Sequence, residues 1–287
     1  MTATLSPIKA RKVRFDWTAT PLHWIAGDAQ TTHTMDVLHL LLPAGEKWFV
    51  DVYREALPLI TDDDLREQVK GFMGQESTHS RAHAAVLEHL AARGLDPTPY
   101  TRLVERGFAL GAEKPFGRTL PPALRPFWLR RRLAIIAAIE HFTAVLGTWI
   151  VEHSGRLDEL DTDPVMLDLV RWHGAEEVEH RAVAFDVANH LGVSYPTRVV
   201  TMGGTFVAMF VAWVGGTIFL MRTDPLHPGR TSWRAFRAAG RDGRLPTLEM
   251  VLRSIPRYLA RDYHPSREGD TAAAKAYLAT SPAVAVA

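Results

Sequence analysis

Glu-x-x-His occurs at two decisive places in this chain, Glu76-Ser-Thr-His79 and Glu177-Val-Glu-His180. Each copy follows an apolar helical pattern that carries one lone glutamate, Glu46 or Glu140. Residues three apart on a helix lie on one face about a turn apart. One carboxylate and one imidazole can therefore address the same point in space. Two such pairs and two single carboxylates are what a dinuclear metal centre inside a four-helix bundle requires.

The pattern around these motifs is helical throughout. In one segment Leu65, Val69, Phe72, Glu76, His79, His83, Val86 and Leu90 keep four-three spacing, and Met166, Val170, His173, Glu177, His180, Ala184, Val187 and Leu191 keep it in another. Such stripes face a helical partner; both are apolar at the ends and ionisable in the middle. The spacing predicts helices over about 32–57 (kinked or interrupted at Pro43), from Thr61 and the Asp62–Asp64 run to Arg93, over 127–153, and from Asp163-Pro164 to Gly192. Acidic first turns, proline at the first helical position and Gly94 after the second helix are ordinary start and stop signals. A looser, proline-bearing segment separates Gly94 from 127. The expected class is all-α, with an extended arm at 1–30, a dimetal four-helix bundle at 31–197, an apolar helix and basic helices at 198–268, and a flexible tail at 269–287.

The 287 residues include no cysteine, which excludes disulfides, thiolate zinc sites, iron–sulfur clusters and a cysteine nucleophile within the chain. Carboxylates and histidines remain as metal ligands. A carboxylate in a low-dielectric core costs several kcal/mol unless paired or coordinated, and no lysine or arginine lies on the ionisable seams. The candidate ligands are Glu46, Glu76, His79, Glu140, Glu177 and His180, with His173 as an extra imidazole on the last stripe. His83, one turn past His79, and Glu176 are candidates for supporting positions. Glu179 reads as solvated or supporting, His141 as a satisfied neighbour. Tyr53, seven residues after Glu46, reads as core packing or as a group exchanging electrons or protons with the centre. Oxygen-rich ligation with nitrogen and no sulfur suits two iron ions, with manganese or a mixed pair as alternatives.

Pro43-Ala-Gly-Glu46-Lys-Trp-Phe49, Gln75-Glu76-Ser-Thr-His79, Ile139-Glu140-His141 and Trp172-His173-Gly-Ala-Glu176-Glu177-Val-Glu179-His180 resemble the family called predicted metal-dependent hydrolases. The ligand order is also similar to that of the di-iron arylamine N-oxygenases of the ferritin-like superfamily, which use four glutamates and three histidines. The resemblance spans about residues 10–225. It implies a ferritin-like bundle in which Glu46, Glu76, His79, Glu140, His173, Glu177 and His180 are the ligands. The family name implies hydrolysis; the second likeness implies oxygen activation.

Three functions are therefore weighed. The first is an O2-activating oxidase or oxygenase acting on a small apolar or lipid-like substrate and drawing on an electron-donor protein. The alternative is a dimetal hydrolase of an ester or thioester, and the third is iron oxidation and storage. Val199–Met221 carries no charge and is long enough to span a bilayer, but its glycines and threonines favour a helix or hairpin packed on the bundle or dipping into the membrane surface. Residues 1–197 hold 21 Lys and Arg against 26 Asp and Glu, and residues 222–287 hold 11 against 6. Nothing in the basic part reads nucleic acid. No secretory signal is visible, so the expected location is cytoplasmic, with peripheral contact to the inner membrane face left open.

Overall fold

Capping residues set the helix boundaries in the computed structural model, which describes residues 8–286. Residues 1–7 of the expected arm lie outside the described residues. Asp28 accepts from the Thr31 amide and starts α1 (Ala29–Ala56). Asp62 does the same for Leu65 at α2 (Asp63–Ala92), where Asp63 and Asp64 occupy the first turn. Side-chain oxygens there satisfy amides with no intrahelical partner. Gly94, at φ +90°, turns the chain away after α2. Helix α1 continues through Pro43 without interruption, and the Pro43 carbonyl receives a hydrogen bond from Ser80 of α2 at 2.9 Å.

The chain departs from the sequence expectation in several places. The segment after Gly94 is not loose: it contains α3 (Thr98–Leu110). Phe108 of α3 stacks near Trp48 of α1 at 5.4 Å, which gives this helix its anchor. Further on come α4 (Arg125–Glu152), the short α5 (Gly155–Asp158) and α6 (Pro164–His180), capped by Asp163. The expected continuation of α6 to Gly192 is broken at Arg181–Ala182, and α7 (Val183–His190) follows. Arg181 is buried, and its guanidinium takes the Val178 carbonyl together with those of Pro265 and Ser266. A carbonyl claimed in this way is diverted from the helical ladder at the break.

Helices α1 and α2 pack together, as do α4 and α6, with α7 against α4 and α2. Close approach of α4 to α6 depends on two glycines. A Cβ on Gly147 would fall 2.5 Å from the Gly174 carbonyl oxygen, and one on Gly174 would fall 2.3 Å from Ile150 Cγ2. Helix α8 (Tyr195–Thr223) lies on α1 and α4, not as a hairpin but as one continuous helix. The basic helices are α9 (Trp233–Arg241) and α10 (Leu248–Leu259). Residues expected to form a flexible tail instead make α11 (Thr271–Leu278) and α12 (Pro282–Ala285), docked on α6. Ala274 and Leu278 supply apolar contact, and Asp168 of α6 accepts hydrogen bonds from Tyr277, Ser281 and the Ala283 amide. Among the described residues no strand forms beyond one bridge between Ile25 and Thr162.

The interior holds two large apolar clusters. One gathers Trp24, Val86, Leu90, Trp149, Leu169 and Trp172; the other gathers Phe49, Phe72, Leu129, Leu133, Ile136 and Val183. The ionisable middles of the helical stripes meet between them.

Candidate metal centre

Helix α1 contributes Glu46, α2 contributes Glu76 and His79, α4 contributes Glu140, and α6 contributes His173, Glu177 and His180. All seven are buried, none more than 4% exposed. The structure brings all seven together in two overlapping donor clusters that share Glu177. Glu177 Oε1 lies 2.9 Å from His173 Nε2 and 3.5 Å from His79 Nδ1. Glu46 Oε1 lies 3.5 Å from the same His173 nitrogen. On the other side, His180 Nε2 is 3.2 Å from Glu177 Oε2 and 3.3 Å from both Glu76 Oε1 and Glu140 Oε2. Glu76 also reaches back, its Oε1 3.9 Å from His79 Nδ1.

Most of these atoms have no hydrogen-bond partner. Both oxygens of Glu46, Glu76 and Glu140, with His79 Nδ1 and His173 Nε2, are buried and unpaired. Native interiors rarely leave such groups unsatisfied. Two cations would satisfy them together. Donor atoms of His79, His173 and Glu177 lie within 4.8 Å of one another, as do those of Glu76, Glu140 and His180. The donor types and their orphaned atoms therefore fit a pair of metal ions.

Electrostatics of the metal-free chain point the same way. Burial raises the pKa of Glu46 and Glu76 well above the usual carboxylate range, and the neighbouring carboxylates raise it further. Burial and Glu177 push Glu140 up to about 7. Glu177 is the exception: burial opposes its charge, but His180 and His173 outweigh that and hold it well below the usual range. His180 mirrors it, burial lowering its pKa while Glu177 and Glu140 raise it well above the histidine range. Burial and then His173 lower His79 to about 4, leaving a neutral imidazole with a free lone pair.

The far nitrogens of two imidazoles are also fixed. His79 Nε2 donates to Glu176 Oε2 at 2.8 Å, so its Nδ1 lone pair faces the centre. His180 Nδ1 meets Gln75 Oε1 at 3.0 Å, which leaves Nε2 for the centre. Outer partners of this kind set tautomer and ring orientation. Arg11 closes the network, bonding Glu176 at 2.8 Å and Glu179 at 2.7 Å, while Gln75 donates to Glu179 at 2.8 Å. Glu176 and Glu179, for which the sequence left solvated and supporting places open, are both held in this network. Sequence reasoning missed Arg11 and Gln75 as site residues. Gln75 precedes Glu76 in its motif, but Arg11 stands 165 positions from Glu176 with no periodic signal linking them.

His83 packs against His173 with rings 4.7 Å apart, and its Nδ1 lies 2.7 Å from His39 Nδ1. One donor atom of His83 lies within 4.8 Å of donors on Glu46 and His173, so it borders the centre. His141 turns away from the centre to Tyr263, 2.8 Å from its Nδ1. Tyr53 is buried edge-on against Phe72 at 5.0 Å, its hydroxyl without a partner.

An all-α chain enclosing such a layer falls in the class of metal-dependent enzymes. The chain belongs to the family described as predicted metal-dependent hydrolase, whose model matches residues 9–269. Comparison with curated proteins and with solved structures gave no match.

Proposed function

We propose that Glu46, Glu76, His79, Glu140, His173, Glu177 and His180 bind two metal ions, and that the centre hydrolyses an ester or thioester of a small apolar acid. The observation that carries this reading is Glu177, with one oxygen in each donor cluster. The family's description supports hydrolysis as the reaction class. When bound, a metal pair supplies an activated water and a Lewis acid for the scissile carbonyl. The chain itself supplies geometry and dryness. Glu176 and Gln75 hold the imidazoles of His79 and His180 in one tautomer. Trp172 and Phe72 close edge-on over those rings at 5.0 and 4.7 Å and keep bulk water away. Tyr53 keeps its proton, because burial and the charges of Glu140 and Glu76 push its pKa well above the phenol range. Its hydroxyl therefore stays protonated, a hydrogen-bond donor in the field of Glu140 and Glu76.

Protein loaded with a redox-inert divalent metal under nitrogen should cleave short-chain esters or thioesters, and metal-stripped protein should not. A second reading, oxygen activation by two irons with an external electron donor, is favoured by one observation. The donor set is four carboxylates and three imidazoles without sulfur, in a layer sealed from water. Oxygen uptake by ferrous-loaded protein, with no hydrolysis by the redox-inert form, would move the assignment to that reading. Iron is the metal proposed first, with manganese or a mixed pair distinguishable by elemental analysis.

Two helical segments are long and apolar enough to cross a membrane, Pro122–Glu152 and Tyr195–Thr223. The first is 72% buried over its most apolar stretch, the second only 28%. One face of α8 docks on the body, where Gly216 meets Val37 and Trp213 donates to the Thr34 carbonyl. Its other face exposes Val200, Val207, Phe210, Val211 and Val214. This apolar stripe, with the exposed Arg222, Arg230 and Arg234 following it in the chain, supports peripheral contact with an anionic lipid surface. It also supports an apolar substrate and a location at the inner face of the membrane.

A further inference from the structure

A second convergence of metal-binding side chains lies outside the centre, where the arm, α1 and the end of α8 meet. His23 comes from the arm, His33 from α1, and Asp224 caps α8. His23 Nε2 lies 2.5 Å and His33 Nε2 2.7 Å from a single atom, Asp224 Oδ2. The other oxygen of Asp224 is occupied by the Leu226 amide at 2.7 Å. The outer nitrogen of His33 faces Asp36 Oδ2 at 3.1 Å, and Trp24 Nε1 donates to Asp36 Oδ1 at 2.8 Å.

One carboxylate oxygen facing two imidazole nitrogens has two explanations. It accepts two N–H bonds, or it shares a cation with them. The first makes His33 a donor at both nitrogens, between Asp36 and Asp224. The second replaces the two Nε2 protons with one ion and leaves His33 donating Nδ1–H to Asp36. Carboxylate–histidine pairs of the Asp36–His33 type are the usual outer support of a metal-bound imidazole. Asp36 is itself locked by a buried tryptophan.

We propose that His23, His33 and Asp224 bind a single divalent transition-metal ion, zinc or ferrous iron. Two imidazoles and one carboxylate suit these borderline ions, and three protein ligands leave a position for water. Exchange with solvent runs past His23, whose side chain is 20% exposed while those of the other two are fully buried. The ion would staple the arm and α8 to α1. None of its ligands belongs to the dinuclear centre. A track of buried groups connects the two: Asp36 Oδ1 is 3.9 Å from His39 Nε2, and His39 meets His83.

Equilibrium dialysis of the full-length, metal-stripped protein against Zn2+ tests the assignment. The wild type should bind one ion more than His23→Ala and Asp224→Asn. Glu177→Ala should retain the outer ion, and Co2+ bound to that variant should give visible bands that vanish when His23→Ala is added. Failure of the dinuclear reading alone would leave those bands and their loss intact. Equal ion counts in the wild type and both outer variants would overturn the proposal. Should Asp224→Asn fail to fold by circular dichroism, His23→Ala, on the partly exposed arm residue, decides the question alone.

Discussion

Asp168 and Glu177 sit on the same helix, nine residues apart, and both are buried acids. Nine residues are two and a half turns, so they face opposite ways. Asp168 spends both oxygens on protein donors: Tyr277 at 2.7 Å, Ser281 at 2.9 Å and the Ala283 amide at 2.9 Å. Glu177 and its neighbours face one another, with six carboxylate oxygens of Glu46, Glu76 and Glu140 left unpaired. The contrast separates two uses of a buried charge. Where protein donors complete the shell, the acid ties chain segments together. Where only acceptors and imidazole lone pairs converge, something outside the chain has to complete it.

Substitution at the two acids should separate these uses most sharply. Glu177→Ala is expected to lose both ions and all measurable activity, since each donor cluster loses its shared member; full metal content in this variant, read by elemental analysis, would break the distinction. Asp168→Ala should leave metal content unchanged and destabilise the fold by about 2 kcal/mol, the order expected for orphaned buried donors. A denaturant midpoint measures that loss, and proteolysis should release the segment carrying α11 and α12.

A smaller effect is expected one layer out. Glu176→Gln removes the charge behind His79 without removing a candidate ligand, and should weaken metal binding roughly 10- to 100-fold. Gly174→Ala places a methyl where Ile150 already stands. It should cost about 1–3 kcal/mol by overpacking, and a chemical-denaturation curve will show whether α4 and α6 can yield instead.

The comparison also predicts a pH signature. In the metal-free chain Glu46, Glu76 and Glu140 have raised pKa values, Glu140 up to about 7, and His180 is raised as well. Groups raised in the folded state bind more protons folded than unfolded, so their stabilisation is present in acid and lost as pH climbs through the folded value. His39, His79 and His141, lowered to about 4 mainly by burial, work in the opposite sense up to the ordinary histidine value, so the apo melting temperature should fall only above about pH 6.5, as the pH climbs to 8. Glu177, held low, works in the opposite sense only below the ordinary carboxylate range. Metal replaces those protons, so the loaded protein should show little of this decline.

Much of the fold and the centre was legible because the helical period carries both. The four-three stripes of α2 and α6 place Glu76, His79, His173, Glu177 and His180 at mid-stripe, the apolar helical patterns of α1 and α4 carry Glu46 and Glu140, and the structure draws those seven together. What escaped has no period. The break after His180 depends on Arg181 reaching carbonyls of residues 265 and 266. The docking of α11 and α12 depends on Asp168, whose partners lie more than 100 positions away. Arg11 reads in the sequence only as one of several charges in an irregular arm. Helix α3 is proline-flanked and acquires its place from Phe108 against Trp48.

Anomalous diffraction from crystals of the metal-loaded protein tests the central assignment most directly. Two peaks are expected between α1, α2, α4 and α6, each at roughly 2.0–2.2 Å from one oxygen of Glu177. A single peak, no peak, or carboxylates turned away from both positions would contradict the account.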